Sequence, residues 1–95
     1  MITKNDLIGQ TIVDKFGGIW TSRLTESDSI EFSSESCPEI FVYATPNWDD
    51  DGMMPIDIGD AYGWYEPFDE VPLEGLTIED ALMNIRVAIN QQIRE

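Results

Sequence analysis

The stretch TIEDALMNIRVAINQQI, residues 77–93, decides the fold class. Ile78, Ala81, Leu82, Ile85, Ile89 and Ile93 recur at three- and four-residue intervals, which puts them on one stripe of an α-helix. Thr77 supplies an N-cap hydroxyl, and Asp80 three residues on approximates a capping box. Glu79 and Asp80 lie at the positive end of the helix dipole, with Arg86 and Arg94 towards the negative end. A helix with one apolar stripe needs one surface to cover, and the chain before it supplies a sheet.

Working back towards the N-terminus, the segment 66–76 contains Pro67 and Pro72 and reads as irregular. Tyr62–Tyr65 reads as a short strand, and Met53–Ile58 as a strand or edge segment. Glu39–Thr45 holds the unbroken apolar run Ile40-Phe41-Val42-Tyr43-Ala44, consistent with a central strand covered on both faces and ended by Pro46. Ser29–Ser33 alternates, with Ile30 and Phe32 on one side, and Ile19–Leu24 is a further strand. Residues 3–16 read as a first helix. Thr3 or Asn5 caps it, Leu7, Ile8, Ile12, Val13 and Phe16 fall largely on one face, and Gly17-Gly18 stops it. The predicted fold is therefore α+β: one small domain over residues 1–95, with an N-terminal helix, a three- to four-stranded antiparallel sheet, and a C-terminal amphipathic helix packed on one sheet face.

Charge is as uneven as hydropathy. Residues 24–85 contain no Lys, Arg or His, yet hold every acid except Asp6, Asp14 and Glu95, and the formal net charge is -14. Self-repulsion at that charge destabilises a compact state, and solubility alone needs a net charge of only about 2 to 8. Duplex DNA carries one charge per roughly 1.7 Å, so a charge of this size matches about 24 Å of duplex. That is comparable with the roughly 32 Å diameter expected of a domain this long. Such a field repels nucleic acid and anionic membrane and attracts a basic partner. The alternative is an acidic domain whose charges are simply solvated.

Hydrophobic residues make up 42% of the chain, enough for a packed core and too many for a disordered polyampholyte. Cys37 is the single cysteine, so no internal disulfide forms, which fits a reducing bacterial cytoplasm. No apolar run approaches a membrane span, and residues 1–10 lack the apolar core of a secretory signal. Enzyme chemistry fails by absence. There is no histidine to act as base, Cys37 lacks a histidine partner and has acidic neighbours, and no phosphate loop or zinc-ligand set occurs. Neither a catalytic residue nor a cofactor is expected. Asn47, Asp49, Asp51 and Gly52 match the opening of an EF-hand loop, but its twelfth position is Ile58, so an acidic turn joining two strands is the preferred reading.

Residues 48–70 interleave aromatics with carboxylates. Tryptophan and tyrosine are enriched in interface hot spots, and acids around them steer a basic partner. The expected partner-binding residues are Trp48, Asp49, Asp50, Asp51, Asp57, Asp60, Trp64 and Glu66, with Trp48 and Trp64 as apolar anchors. Some of these aromatics belong to the core in any small domain, but the loop Pro46-Asn47-Trp48-Asp49-Asp50-Asp51-Gly52 has no evident way to bury itself.

Residues 75–89, Gly-Leu-Thr-Ile-Glu-Asp-Ala-Leu-Met-Asn-Ile-Arg-Val-Ala-Ile, resemble the Thr-x-Glu-(Glu/Asp)-Ala-Leu-x-Asn helix opening of HicB-type antitoxins over about a sixth of the chain. No function is carried over from that helix start. In size and charge the chain is similar to phage-encoded anti-CRISPR and anti-restriction proteins, uracil-DNA glycosylase inhibitors and immunity proteins of nuclease toxins, which share no motif. The expectation is a non-enzymatic, stoichiometric inhibitor that mimics nucleic-acid charge and blocks a basic nucleic-acid-binding protein, without itself binding nucleic acid or membrane. The alternatives are an immunity protein or antitoxin against a basic nuclease toxin, and an acidic adaptor domain, including a homodimer joined through the aromatic segment.

Overall fold

The computed structural model describes residues 1–94. The chain folds as α1 (Lys4–Leu7), β1 (Thr11–Val13), β2 (Ile19–Leu24), β3 (Ile30–Ser33), β4 (Ile40–Ala44), β5 (Met53–Asp60), β6 (Tyr65–Pro72) and α2 (Ile78–Gln92). All six strands form one antiparallel sheet in sequence order, each paired with the next. The expected α+β class and the C-terminal helix stand. The sheet has six strands rather than three or four, because two segments read otherwise are strands.

The first correction is the N-terminal helix, which covers Lys4–Leu7 and not residues 3–16. Asp6 accepts from the Thr3 backbone N–H at 2.8 Å and caps the short turn. Gly9 then takes a φ of +75°, outside the helical region, and the chain leaves the helix. Leu7 and Ile12 enter the core while Ile8, Val13 and Phe16 stay exposed, so the apparent helical stripe is split between a turn and β1. Ser22 of β2 anchors the connection: its hydroxyl donates to the Leu7 carbonyl at 2.5 Å and accepts from the Gln10 N–H at 2.8 Å. Gly17-Gly18 serves as the β1–β2 hairpin turn instead of a helix stop.

The second correction is β6. Residues 66–72, expected to be irregular, continue a strand that starts at Tyr65, while residues 61–64 form the turn before it. Pro67 and Pro72 are tolerated because β6 is an edge strand, where a missing N–H need not break the ladder. A bulge between Ile56 and Asp57 absorbs one extra residue of β6.

Period-two alternation divides the sheet into two faces. Ile12, Trp20, Ile30, Phe32, Val42, Ala44, Met54, Ile56, Ile58 and Val71 are buried beneath α2, which contributes Ala81, Ile85, Ala88 and Ile89. The Thr77 hydroxyl caps α2 by accepting from the Asp80 N–H at 3.1 Å. Burying one leucine-sized side chain in such a core stabilises by about 1.5–3 kcal/mol. The opposite face has no layer over it among the described residues. This corrects the reading of β4: Ile40, Val42 and Ala44 point to the helix side, but Phe41 and Tyr43 lie half-buried on the open face.

Candidate functional site

The open face is built in cross-strand rows, since paired residues of neighbouring antiparallel strands point to the same side. One row runs Arg23, Glu31, Tyr43, Asp57, Pro67 across β2 to β6. The row beside it includes Phe41, Gly59 and Tyr65. Tyr43 and Tyr65 stack at a tilt with ring centroids 5.1 Å apart, and Phe41 lies 6.5 Å from Tyr43. Gly59 makes that stack possible. A Cβ there would come within 2.9 Å of the Tyr43 ring, so glycine leaves the space the ring crosses.

Loop 45–52 closes one end of this face. Asn47, Asp50 and Gly52 all take positive φ, and the Asn47 carboxamide oxygen accepts from the Gly52 N–H at 3.0 Å. Asp51 accepts from the Met53 N–H at 3.1 Å, so the EF-hand-like oxygens serve the turn. Among the described residues, no group of three or more His, Cys, Asp or Glu is placed to hold a metal ion. The loop presents Trp48, 52% exposed, beside the tyrosine stack. Trp48, Tyr43 and Tyr65, with Asp49 and Asp57, line a groove of about 400 Å³.

The carboxylates of the central row differ sharply. Glu31 is 7% exposed; it accepts from Arg23 Nε at 3.0 Å and from the Tyr43 hydroxyl at 3.2 Å. On the other side of Tyr43, Asp57 has no basic partner among the described residues. Burial and then the nearby Glu70 carboxylate push the Asp57 carboxyl up. The Tyr43 phenol is also pushed up, by burial first and then by Tyr65 and Glu31.

Of the expected partner-binding residues, the fold brings Trp48, Asp49 and Asp57 together at the groove. Asp50 and Asp51 are exposed in the same loop but do not line the groove. Asp60, Trp64 and Glu66 lie apart. Asp60 accepts from the Tyr62 and Trp64 N–H groups at 2.9 and 3.0 Å, shaping the β5–β6 turn. Trp64 is exposed in that turn, at the far end of β5 from Trp48. Glu66 pairs with Ile58, which places it towards the helix side of the edge strand. Tyr43 and the Arg23–Glu31 pair were missed, and Tyr65, one of the aromatics interleaved in residues 48–70, was not among the expected partner-binding residues. The signal for them was the uninterrupted 40–44 run in a chain with one long helix, which can cover only one face.

Larger hollows of about 760 and 820 Å³ flank the Gly17-Gly18 turn at the other end of the sheet. The buried acid of the first, Asp14, is already engaged: it accepts from the N–H groups of Phe16 and Gly18 and from the Trp20 indole. Cys37 borders one of them with its thiol pushed up to about 11 by burial and by Glu39, which suppresses the thiolate. No protein-family model, curated protein or solved structure matches the chain. No helix is long and apolar enough to cross a membrane among the described residues.

Proposed function

We propose that the chain is a non-enzymatic, stoichiometric inhibitor that uses its acidic open-face end to block a basic nucleic-acid-binding protein in the cytoplasm of a bacterial host, in the manner of phage anti-defence proteins. The observation that carries this reading is the groove, where exposed Trp48 and the Tyr43–Tyr65 stack adjoin Asp49 and Asp57 and residues 24–85 offer no Lys or Arg to neutralise them. Aromatics supply desolvated anchor area, and the uncompensated acids supply steering. The extents of 35 × 25 × 21 Å put 14 excess charges on a body whose dimensions are comparable with the roughly 24 Å of duplex they match.

Capture from bacterial lysate with the tagged protein tests the reading. One basic nucleic-acid-binding protein should be retained in fixed stoichiometry, and it should lose its nucleic-acid binding in the complex. Reversing Asp49, Asp50 and Asp51 together to lysine should slow association by at least about tenfold at low salt and by less as salt screens the field. A diffuse set of basic proteins, all released together at moderate salt, would leave a solvated acidic domain as the better description. Capture of a nuclease toxin would assign the chain to the immunity class.

A further inference from the structure

We propose that the groove is an arginine-accepting site, in which a guanidinium of the partner protein packs against Trp48, Tyr43 and Tyr65 and pairs with Asp57, with Asp49 at the mouth. The inference deepens the proposed function and rests on its basic partner. It starts from a near-symmetry about Tyr43. In register, Tyr43 is flanked by Glu31 on β3 and Asp57 on β5. On the Glu31 side the chain provides its own guanidinium: Arg23 Nε lies 3.0 Å from the carboxylate, one strand further on, and the Tyr43 hydroxyl braces the same group. On the Asp57 side the next residue in the row is Pro67, which offers neither charge nor a donor.

The walls suit a guanidinium. It is planar, more weakly hydrated than an ammonium, and stacks on aromatic faces while its fork meets a carboxylate. Three aromatic rings and two carboxylates line about 400 Å³ here, open to solvent through the exposed loop that carries Trp48 and Asp49. A lysine ammonium would find the charge but not the matching plane. A second copy of the chain is the other source of an arginine, through Arg23, Arg86 or Arg94, and it makes a separate prediction about mass.

The probe is acetyl-arginine amide, titrated into the whole protein and followed by amide and indole NMR signals. Acetyl-citrulline amide is the neutral isostere and acetyl-lysine amide the charged comparator. Arginine should shift a confined set of signals: the Trp48 indole and the backbone around Tyr43, Asp57 and Tyr65. Citrulline should not, and lysine should bind several-fold more weakly. Asp57→Asn should weaken arginine binding about tenfold, the loss expected of one charge-assisted pairing. Trp48→Ala lies in an exposed loop and leaves the core intact, so it should weaken binding in a folded protein, while Trp48→Phe should restore most of it. Shifts spread evenly over all acidic segments, equal for arginine and lysine and unchanged by Asp57→Asn, would overturn the site. So would concentration-dependent dimerisation that Asp57→Asn abolishes, because the occupant would then be a second copy. The two proposals fail separately. Arginine binding without a captured partner would sink the inhibitor reading alone, and a captured partner held equally by Asp57→Asn and Trp48→Ala would sink the arginine site alone.

Discussion

The two halves of the sheet treat their carboxylates in opposite ways. In the β1–β3 half, Asp14 accepts three hydrogen bonds and Glu31 two, one of them from Arg23. In the β4–β6 half, Asp57 is raised by burial and by Glu70, and Asp49 stands in an exposed loop. The first half uses its acids to build the protein. The second uses Asp60 and Asp51 in its turns, but among the described residues it leaves Asp57 and Asp49 without a basic partner, next to aromatics that the fold does not cover. Retaining an unpaired, partly buried charge costs stability, so its site is one where another molecule can supply the missing partner.

The largest effect should come from breaking the satisfied half. Asp14→Ala removes the acceptor for the Phe16 and Gly18 N–H groups and for the buried Trp20 indole, at 2.8, 2.9 and 2.8 Å. Losing charge-assisted bonds and stranding a buried indole donor should cost about 3 kcal/mol, read as a fall in the urea midpoint. Gly18 belongs to the same device, since a Cβ there would meet Ser36 Oγ at 2.5 Å and press on the Asp14 carboxylate. The pH dependence has a fixed sign. Burial raises the Asp14 carboxyl, but the Trp20, Gly18 and Phe16 bonds, with Arg86 further off, outweigh it, and the net shift is downward. An unfolded aspartate titrates near pH 3.9, so the stabilisation is complete above about that pH and is lost as pH falls through the lower folded value. A Asp14→Ala variant as stable as the parent at pH 7 would erase the contrast between the halves.

Asp14 also shows why part of the fold was hidden in the sequence. Leu7, Ile8, Ile12, Val13 and Phe16 fit a helical stripe, and spacing alone cannot tell such a stripe from a turn followed by a short strand. The deciding contacts are a side chain capturing N–H groups two and four residues on, and Ser22 bonding back to Leu7, neither of which has a periodic signature. β6 was obscured for a different reason. Proline argues against a strand only where the ladder needs its N–H, and edge position is a property of the whole sheet. By contrast, α2 and the strands at 19–24 and 30–33 are legible, because local propensity, alternation and capping agree with the tertiary arrangement. For the groove, the sequence supplied Trp48, Asp49 and Asp57. Tyr43 and Tyr65 needed the register that puts them on one face.

A smaller effect should follow from weakening the Arg23–Glu31–Tyr43 unit. Glu31→Gln keeps the shape but loses the charge. It should destabilise by about 1 kcal/mol, because Arg23 is largely exposed and an exposed ion pair contributes little. The phenol gives a second readout. With the Glu31 carboxylate gone, Tyr43 should titrate closer to its ordinary value in ultraviolet absorbance, though burial keeps it raised. An unchanged titration would place Glu31 outside the electrostatic environment of Tyr43 and remove the precedent for its counterpart across the ring.

The smallest effect has the opposite sign. Asp57→Asn should stabilise the free protein by about 0.5 kcal/mol at low salt, the scale of a like-charge pair on neighbouring strands. The carboxyl is raised by burial first and by Glu70 second. A folded value above the unfolded one means that the ionised form subtracts from stability. The penalty is full above the folded value, and it vanishes as pH falls below the unfolded value near 3.9. The gain from Asp57→Asn should therefore appear at pH 7 and disappear by about pH 3.5, fading above the range in which the Asp14 contribution is lost. Added salt should shrink it, since the Debye length is about 8 Å at physiological ionic strength. A variant that is more stable alone yet weaker towards arginine would tie the strain to the binding. If Asp57→Asn is instead destabilising at pH 7, the carboxylate is held by groups within the fold, and the two halves of the sheet do not differ.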